Sequence, residues 1–281
     1  MPVDTTDFVY AARPIFRIDD QVENRLQAAL MDLMVEETTL GLFRCEARFT
    51  NWAPGPDGPF PFFDSQILDF GKEFAVEMGQ PGQEQRIFTG RIMGLEAQYS
   101  ATQPPQIIVL AEDRLQDLSK TRRTRTFNDV SLDNVVQEIA SEYELQAEVD
   151  VDSPHYELLA QLNQSDLAFL RQLATAVDAE LWIEENTLHC QARTRRNAGM
   201  VQLQYGGNLL EFRVLADLSQ QRSSVRVSGW DVENKEAIDE EAGEASIAGE
   251  LDGLRSGSAV LEQALGSRPE QIVSSTPLSR D

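Results

Sequence analysis

Chemically versatile side chains are scarce in this chain. It holds two histidines, His155 and His189, and two cysteines, Cys45 and Cys190, in 281 residues. Two distant cysteines build neither a disulfide framework nor a zinc motif, and they read as reduced core thiols of a protein made in the cytoplasm. His189 and Cys190 are adjacent on a strand-like run, so they point to opposite faces and cannot both turn to one metal. His155 follows "VDVDSP", where Asp150 and Asp152 share a strand face. No glycine-centred loop or late bidentate glutamate completes a calcium site there. The sequence has no CxxC, HExxH, GxSxG or Walker-type glycine loop. Carboxylate pairs such as Glu184-Glu185 and Glu240-Glu241 carry almost no signal in so acidic a chain. Gly206-Gly207 in "QYGGN" precedes no helix and reads as a turn, not a phosphate cradle. The expectation is therefore no catalytic residue, no cofactor and no metal.

Long apolar runs are missing too. None approaches the roughly 20 residues of a spanning helix, which gives an expectation of no stable membrane insertion. The opening "MPVDTTDFVYAARP" has neither a basic start nor an apolar core, so it does not read as a secretory signal. Basic residues are few: 24 against 47 acidic ones, for a formal net charge of -23. That balance argues against a surface that grips nucleic acid, since such binding rests on phosphate neutralisation. It suits a wall that must not retain polyanions, or plain solubility.

With 41% hydrophobic residues, the chain can bury a real core. In "LFRCEARFTNW", Phe43, Cys45, Ala47 and Phe49 alternate with Arg44, Glu46, Arg48 and Thr50, the two-residue period of a half-buried strand. "PGPDGPFPFF" (54–63) breaks the ladder because its prolines cannot donate to it. Strands resume with Phe74, Val76 and Met78, and again with Met93, Leu95, Ala97 and Tyr99. "IIVLA" (107–111) is apolar on both faces, as in a central strand. Strands joined by short turns predict an antiparallel sandwich or barrel.

At Ser131 the period changes. Leu132, Val135, Val136, Ile139, Ala140 and Tyr143 form an amphipathic helical stripe with Ser131 as its N-cap. A strand, "AEVDV", follows. Ser165 caps a second helix with the stripe Leu170, Leu173, Ala174 and Val177, and "AELWIEENTLHCQ" predicts a hairpin about Glu185-Asn186. Beyond it, Leu210, Phe212 and Val214 read as a strand, as do Val225 and Val227, with a bulge expected at Gly229 before Trp230 and Val232. Residues 234–253 read as a mobile acidic loop or weak helix, and no tandem repeat is present. Trp52, Trp182 and Trp230 each sit in a strand-like pattern and are expected in the core.

Two basic runs stand out: "KTRRTRT" (Lys120, Arg122, Arg123, Arg125) and "RTRR" (Arg193, Arg195, Arg196). One reading makes them inter-subunit contacts on acidic neighbours, through the bidentate geometry of arginine. The other has them offset acidic strands of the same chain. No interleaved aromatics support nucleic-acid stacking, so no specific nucleic-acid binding is expected.

The order of three pieces is distinctive: "FTGRIMGLEA" (88–97), then "LAEDRLQDLSKTRRTRTFNDVSLDNVVQEIA" (110–140), then "QLNQSDLAFLRQLA" (161–174) with its hairpin. The last carries Gln161, Ser165, Asp166, Phe169 and Leu170 in the spacing Q-x-x-x-S-D-x-x-F-L. This set resembles the hub family of contractile injection machines, the late control D proteins of contractile-tailed phages and the N-terminal part of VgrG spike proteins. The likeness is strongest over residues 86–215. It implies an α+β, mainly β fold: antiparallel tube-like β-barrel domains with an inserted α/β module of helix plus hairpin. The expected divisions are a first barrel region at 1–118, an α/β region at 119–199, strands completing the barrels at 200–235, and an acidic loop and connection toward a spike at 236–281.

The function that the resemblance implies is structural and not enzymatic. It is a baseplate hub, a homotrimeric ring that adapts a threefold spike to a sixfold inner tube. The implied partners are the inner tube protein, a spike protein or domain and other baseplate proteins, met in a phage tail or phage-tail-like particle. VgrG-type chains continue into a further barrel and a β-helical needle, and no needle repeats occur here. The spike is then a separate protein, or these residues are the hub part of a longer chain. Two alternatives stay open. A carbohydrate- or receptor-binding tail module would show an exposed aromatic platform, and a tail-associated hydrolase would show a cleft with converging reactive groups.

Overall fold

The computed structural model describes residues 13–38, 41–52, 60–79, 82–196, 202–207, 209, 211–231, 235–247, 251 and 253–273. Its contacts divide into two compact units, Met1–Gly199 and Met200–Asp281. The fold is α+β and mainly β.

The first unit opens with β1 (Ile15–Ile18), β2 (Gln21–Val22), a short helix α1 (Asn24–Ala29), β3 (Leu30–Glu37), β4 (Phe43–Thr50), β5 (Glu73–Met78), β6 (Gln85–Gln98) and β7 (Gln106–Glu112). These strands form one seven-stranded sheet in the order β2-β1-β5-β6-β7-β4-β3, every neighbour antiparallel. Its end strands β2 and β3 are not hydrogen-bonded to each other, so the sheet is curled but not a closed barrel. Strand β6 makes the curl, since its first half pairs with β5 and its second half with β7. A side chain on Gly90, where the pairing changes over, would meet the Glu112 carbonyl oxygen at 2.3 Å. Only glycine allows that approach. The curl brings non-neighbouring strands face to face: Phe16 of β1 and Phe49 of β4 sit edge to face with ring centroids 5.1 Å apart. Cys45, Ala47 and Phe49 of β4 point into this core as their alternation predicts. In β6 the expected face is displaced. A bulge between Ile92 and Gly94 leaves Met93 without a partner residue, so Ile92 takes the fully buried place and Met93 stays half-buried.

After a 3-10 turn at Arg114–Ser119 come β8 (Arg122–Val130), α2 (Leu132–Glu142), β9 (Gln146–Asp150), β10 (Tyr156–Ser165), α3 (Asp166–Ala176), β11 (Ala179–Glu184) and β12 (Thr187–Ala192). β8 and β10 make a two-stranded ribbon. β11, β12 and β9 make a small sheet in which β9 runs parallel to β12. Both expected caps are present. Ser131 Oγ accepts from Asn134 N while Asn134 Oδ1 accepts from Ser131 N, a full capping box, and Ser165 Oγ accepts from Ala168 N. α2 buries Leu132, Val135, Val136, Ile139 and Ala140, the stripe read from the sequence. α3 buries Leu167 and Phe169 as well as Leu170, Leu173 and Ala174. It is covered on two sides, and Phe169 stacks on Phe127 of the ribbon at 5.7 Å.

The second unit contains β13 (Val225–Asp231), β14 (Glu236–Ala242), α4 (Glu244–Ile247), α5 (Gly257–Leu265) and β15 (Glu270–Val273). β13 lies between antiparallel β14 and parallel β15. Several expectations change here. Residues 211–218 form no strand, and Phe212, Val214 and Leu215 are exposed, because no partner strand among the described residues pairs with them. Leu210 and Val232 lie outside the described residues. Gly229 pairs in register with Ile238, so it carries no bulge. The stretch read as an acidic loop or weak helix supplies one strand partner of β13, β14, and the other, β15, comes from the residues read as a C-terminal connection. The period-2 pattern of β14 is weak because only Ile238 in it is buried.

Candidate interaction surfaces

The scarce reactive side chains are occupied with packing. Cys45 and Cys190 are buried, and burial above all pushes each thiol up to about 12, assisted by Glu46 and Asp133 respectively. His189 stacks flat on Trp182 with centroids 4.8 Å apart, and its Nδ1 lies 3.4 Å from Glu148. His155 Nε2 is 2.7 Å from Asp129. Asp150 and Asp152 both hold Arg195. Among the described residues no group of three or more His, Cys, Asp and Glu is arranged to hold a metal ion, and no helix is long and apolar enough to cross a membrane.

From Arg122 onward the run "KTRRTRT" lies on β8, and strand alternation splits it. Arg123 and Arg125 turn inward to Asp166, the first residue of α3, whose side chain is fully buried. Asp166 Oδ1 accepts from Arg125 Nη2 at 2.8 Å and from Gln161 Nε2 at 2.9 Å. Its Oδ2 accepts from Tyr143 Oη at 2.7 Å and lies 3.2 Å from Arg123 Nε. Glu142 engages both arginines from α2. Burial, with the hydrogen bond to the Asp166 carboxylate and that group's charge, pushes the Tyr143 phenol up to about 12. A carboxylate in the first turn of α3 also faces the positive end of the helix dipole. Arg123 and Arg125 are thus intramolecular partners and not free contact residues. This is the second of the two readings of the run, charge offset within the chain, and pairing with a neighbour through these two arginines would compete with Asp166 for them. Arg122 faces outward, donating only to the Asn163 carbonyl at 3.0 Å, and Lys120 makes no ion pair among the described residues. The second basic run is likewise engaged internally: Arg193 with Asp178, Arg195 with Asp150 and Asp152, and Arg196 with Glu180 and Glu37.

The motif Q-x-x-x-S-D-x-x-F-L is therefore a packing device throughout. Gln161 and Asp166 build the polar knot, Ser165 caps the helix, Phe169 stacks on Phe127, and Leu170 is fully buried.

A second junction fixes the sheet to the module. Asp113 leads from β7 into the 3-10 turn, and its carboxylate accepts from Phe43 N on one side and Leu115 N on the other, each at 3.1 Å. Its own N–H donates to Phe43 O at 3.0 Å. Burial pushes this carboxyl up to about 7, outweighing the two backbone donors and the nearby Arg171, with Glu112 adding to the rise. Gly41 presses on the other side: at φ +75° it has no room for a side chain, which would stand 1.6 Å from Leu181 O. Cavities of about 360 Å³ and 700 Å³ lie beside this junction and share Arg86, Thr89, Arg114 and Glu185 in their walls. Their mixed charges are largely paired, as in Arg86 with Glu77 and Asp20, and Arg91 with Asp117.

Two tryptophans expected in the core are on the surface. Trp52 is 54% and Trp230 55% exposed, and only Trp182 is half-buried. Trp52, Phe60 and Tyr99 form a group at one end of the curled sheet, with centroids 5.7 and 5.0 Å apart. Sequence periodicity could not find it, because the rings lie at and just beyond strand ends, where alternation no longer implies burial.

The curled sheet followed by the helix–hairpin module is the fold of phage tail proteins. The chain superposes on the 43 kDa tail protein of prophage MuSo2 from Shewanella oneidensis with a TM-score of 0.66 and 16% identity, covering 96% of this chain and 75% of that one. It matches a tail protein from Neisseria meningitidis MC58 at 0.63 and 10% identity, with 96% and 73% covered. For the prophage tail protein gp18 from Listeria monocytogenes EGD-e the values are 0.54 and 13%, with 94% and 72% covered. The family model described as the Alg8 N-terminal domain matches residues 55–278, and the chain belongs to that family. No curated protein matches it by sequence comparison.

Proposed function

We propose that this chain is a non-enzymatic baseplate hub of a phage-tail-like contractile injection system. Three copies form a ring that adapts a threefold spike to the sixfold inner tube. The carrying observation is a tail-protein fold extending over 96% of the chain, together with a hub-like order of motifs whose residues serve packing. Symmetry adaptation is a packing problem, solved by rigid elements, interface shape and paired charge. The Asp166 knot and the Asp113 junction supply that rigidity between sheet and module. Its partners are the inner tube protein, a spike protein or spike domain and other baseplate proteins, and it works without a cofactor. The test is gentle purification of the tagged native protein with mass spectrometry and stoichiometry. Tube, sheath and baseplate proteins at three copies of this chain per particle are expected. A lone chain from cells containing assembled particles would remove the reading.

One observation favours a second role, a carbohydrate- or receptor-binding tail module: the exposed Trp52–Phe60–Tyr99 group. On that reading Trp52→Ala abolishes adsorption to target-cell glycans while particles assemble normally. On the hub reading it leaves adsorption unchanged.

A further inference from the structure

The ribbon of β8 and β10 has one face on the module core and one face bare. Inward go Arg123, Arg125 and Phe127 with their partners Gln161 and Leu159. Outward go Arg122, Thr124, Thr126 and Asn128 beside Leu158 and Leu162. These two leucines are 59% and 64% exposed, and Ala160 lies between them. In a chain with 47 acidic residues, this outward face carries no carboxylate, and its one charge, Arg122, has no acidic partner among the described residues. Lys120 stands two residues before it, also without an ion pair among the described residues. A neutral-to-basic β face with two bare leucines is the surface composition of a contact.

We infer that this face docks a second copy of the same chain, an inference that rests on the hub reading for copies set side by side. The chain itself presents the complementary charge. At -23 it is strongly acidic, and edge strand β14 exposes Glu240, which is in no ion pair among the described residues. Leu158 and Leu162 anchor the contact, while Arg122 and Lys120 orient it against the acidic surface of the neighbour. Because Leu158 and Leu162 are exposed and Arg122 bonds only the ribbon's own Asn163 carbonyl, altering them is expected to change association while the module core stays packed.

The experiment is sedimentation of the full chain over a range of concentration and salt, for the wild type, Arg122→Glu and the double variant Leu158→Ser/Leu162→Ser. Far-UV circular dichroism and melting are followed on each. The wild type is expected to self-associate, more weakly as salt rises. Arg122→Glu is expected to weaken association about tenfold, and the double variant to sediment as monomer with an unchanged melt. A wild type that stays monomeric at every concentration overturns the inference, as do folded variants that associate like the wild type. The two readings separate in particles. Normal incorporation of the double variant leaves the hub intact and sinks this contact, whereas absence of the wild-type chain from particles sinks the hub.

Discussion

Arg122 and Arg125 belong to one run of seven residues, yet one faces solvent and the other holds a fully buried aspartate. The difference is the two-residue period of β8 alone. On the inner face each cation meets a carboxylate, an amide or a ring: Arg125 contacts Asp166, Glu142 and Gln161 and lies 4.9 Å over Phe127. On the outer face threonines, leucines and one arginine have no counter-charges among the described residues. Charge here has two distinct tasks, joining elements of one chain and choosing a neighbour. Position on the pleat assigns them, and composition does not.

That contrast can be broken most sharply at Asp166. Asp166→Ala strips Arg123, Arg125, Gln161 and Tyr143 of a shared acceptor and is expected to destabilise the first unit by roughly 3–5 kcal/mol, read by urea unfolding. Arg125→Glu should do the same by placing two carboxylates together, and Arg122→Glu should not.

Next in size is the Asp113 junction. Its carboxyl titrates near 7 in the folded chain but near 3.9 when unfolded. The folded state therefore binds the extra proton between those values, and its stability falls as pH rises from about 4 to about 7. Relative to Asp113→Asn, which has no proton to lose, the wild type should lose on the order of 2–4 kcal/mol across that window. Parallel stability–pH curves for the two proteins would refute it.

Smaller effects follow at the caps and the outer face. Ser165→Ala and Ser131→Ala each remove a capped helix start and should cost about 1 kcal/mol, measured by thermal melts. Leu162→Ser on the bare face should move stability by less than about 0.5 kcal/mol. A large loss there would mean that the outer face is covered within the monomer.

Much of the first unit was legible in the sequence. The alternation of Cys45, Ala47 and Phe49, the stripe from Leu132 to Ala140, both serine caps and the hairpin about Glu185-Asn186 are local signals, and the structure keeps them. The failures share one cause, which is dependence on distant chain. Phe212 and Val214 have strand periodicity but no strand beside them, whereas weakly patterned β14 and β15 find one in β13. Trp52 looked like a core residue because it follows a good strand, and it lies just past the strand end. The basic run was legible as unusual but not as divided, because its assignment to β8 came only with its pairing to β10.

Local residue order by itself determined the periods, the caps and the turns, because these depend on neighbours within a few positions along the chain. Only the tertiary structure decided that the sheet curls at Gly90, that Asp113 and Gly41 join it to the module, and which arginines are engaged. Each of those outcomes depends on groups brought together from tens of residues apart, such as Gly41 with Leu181 or Arg125 with Asp166. Their distance and burial exist only once the chain has folded.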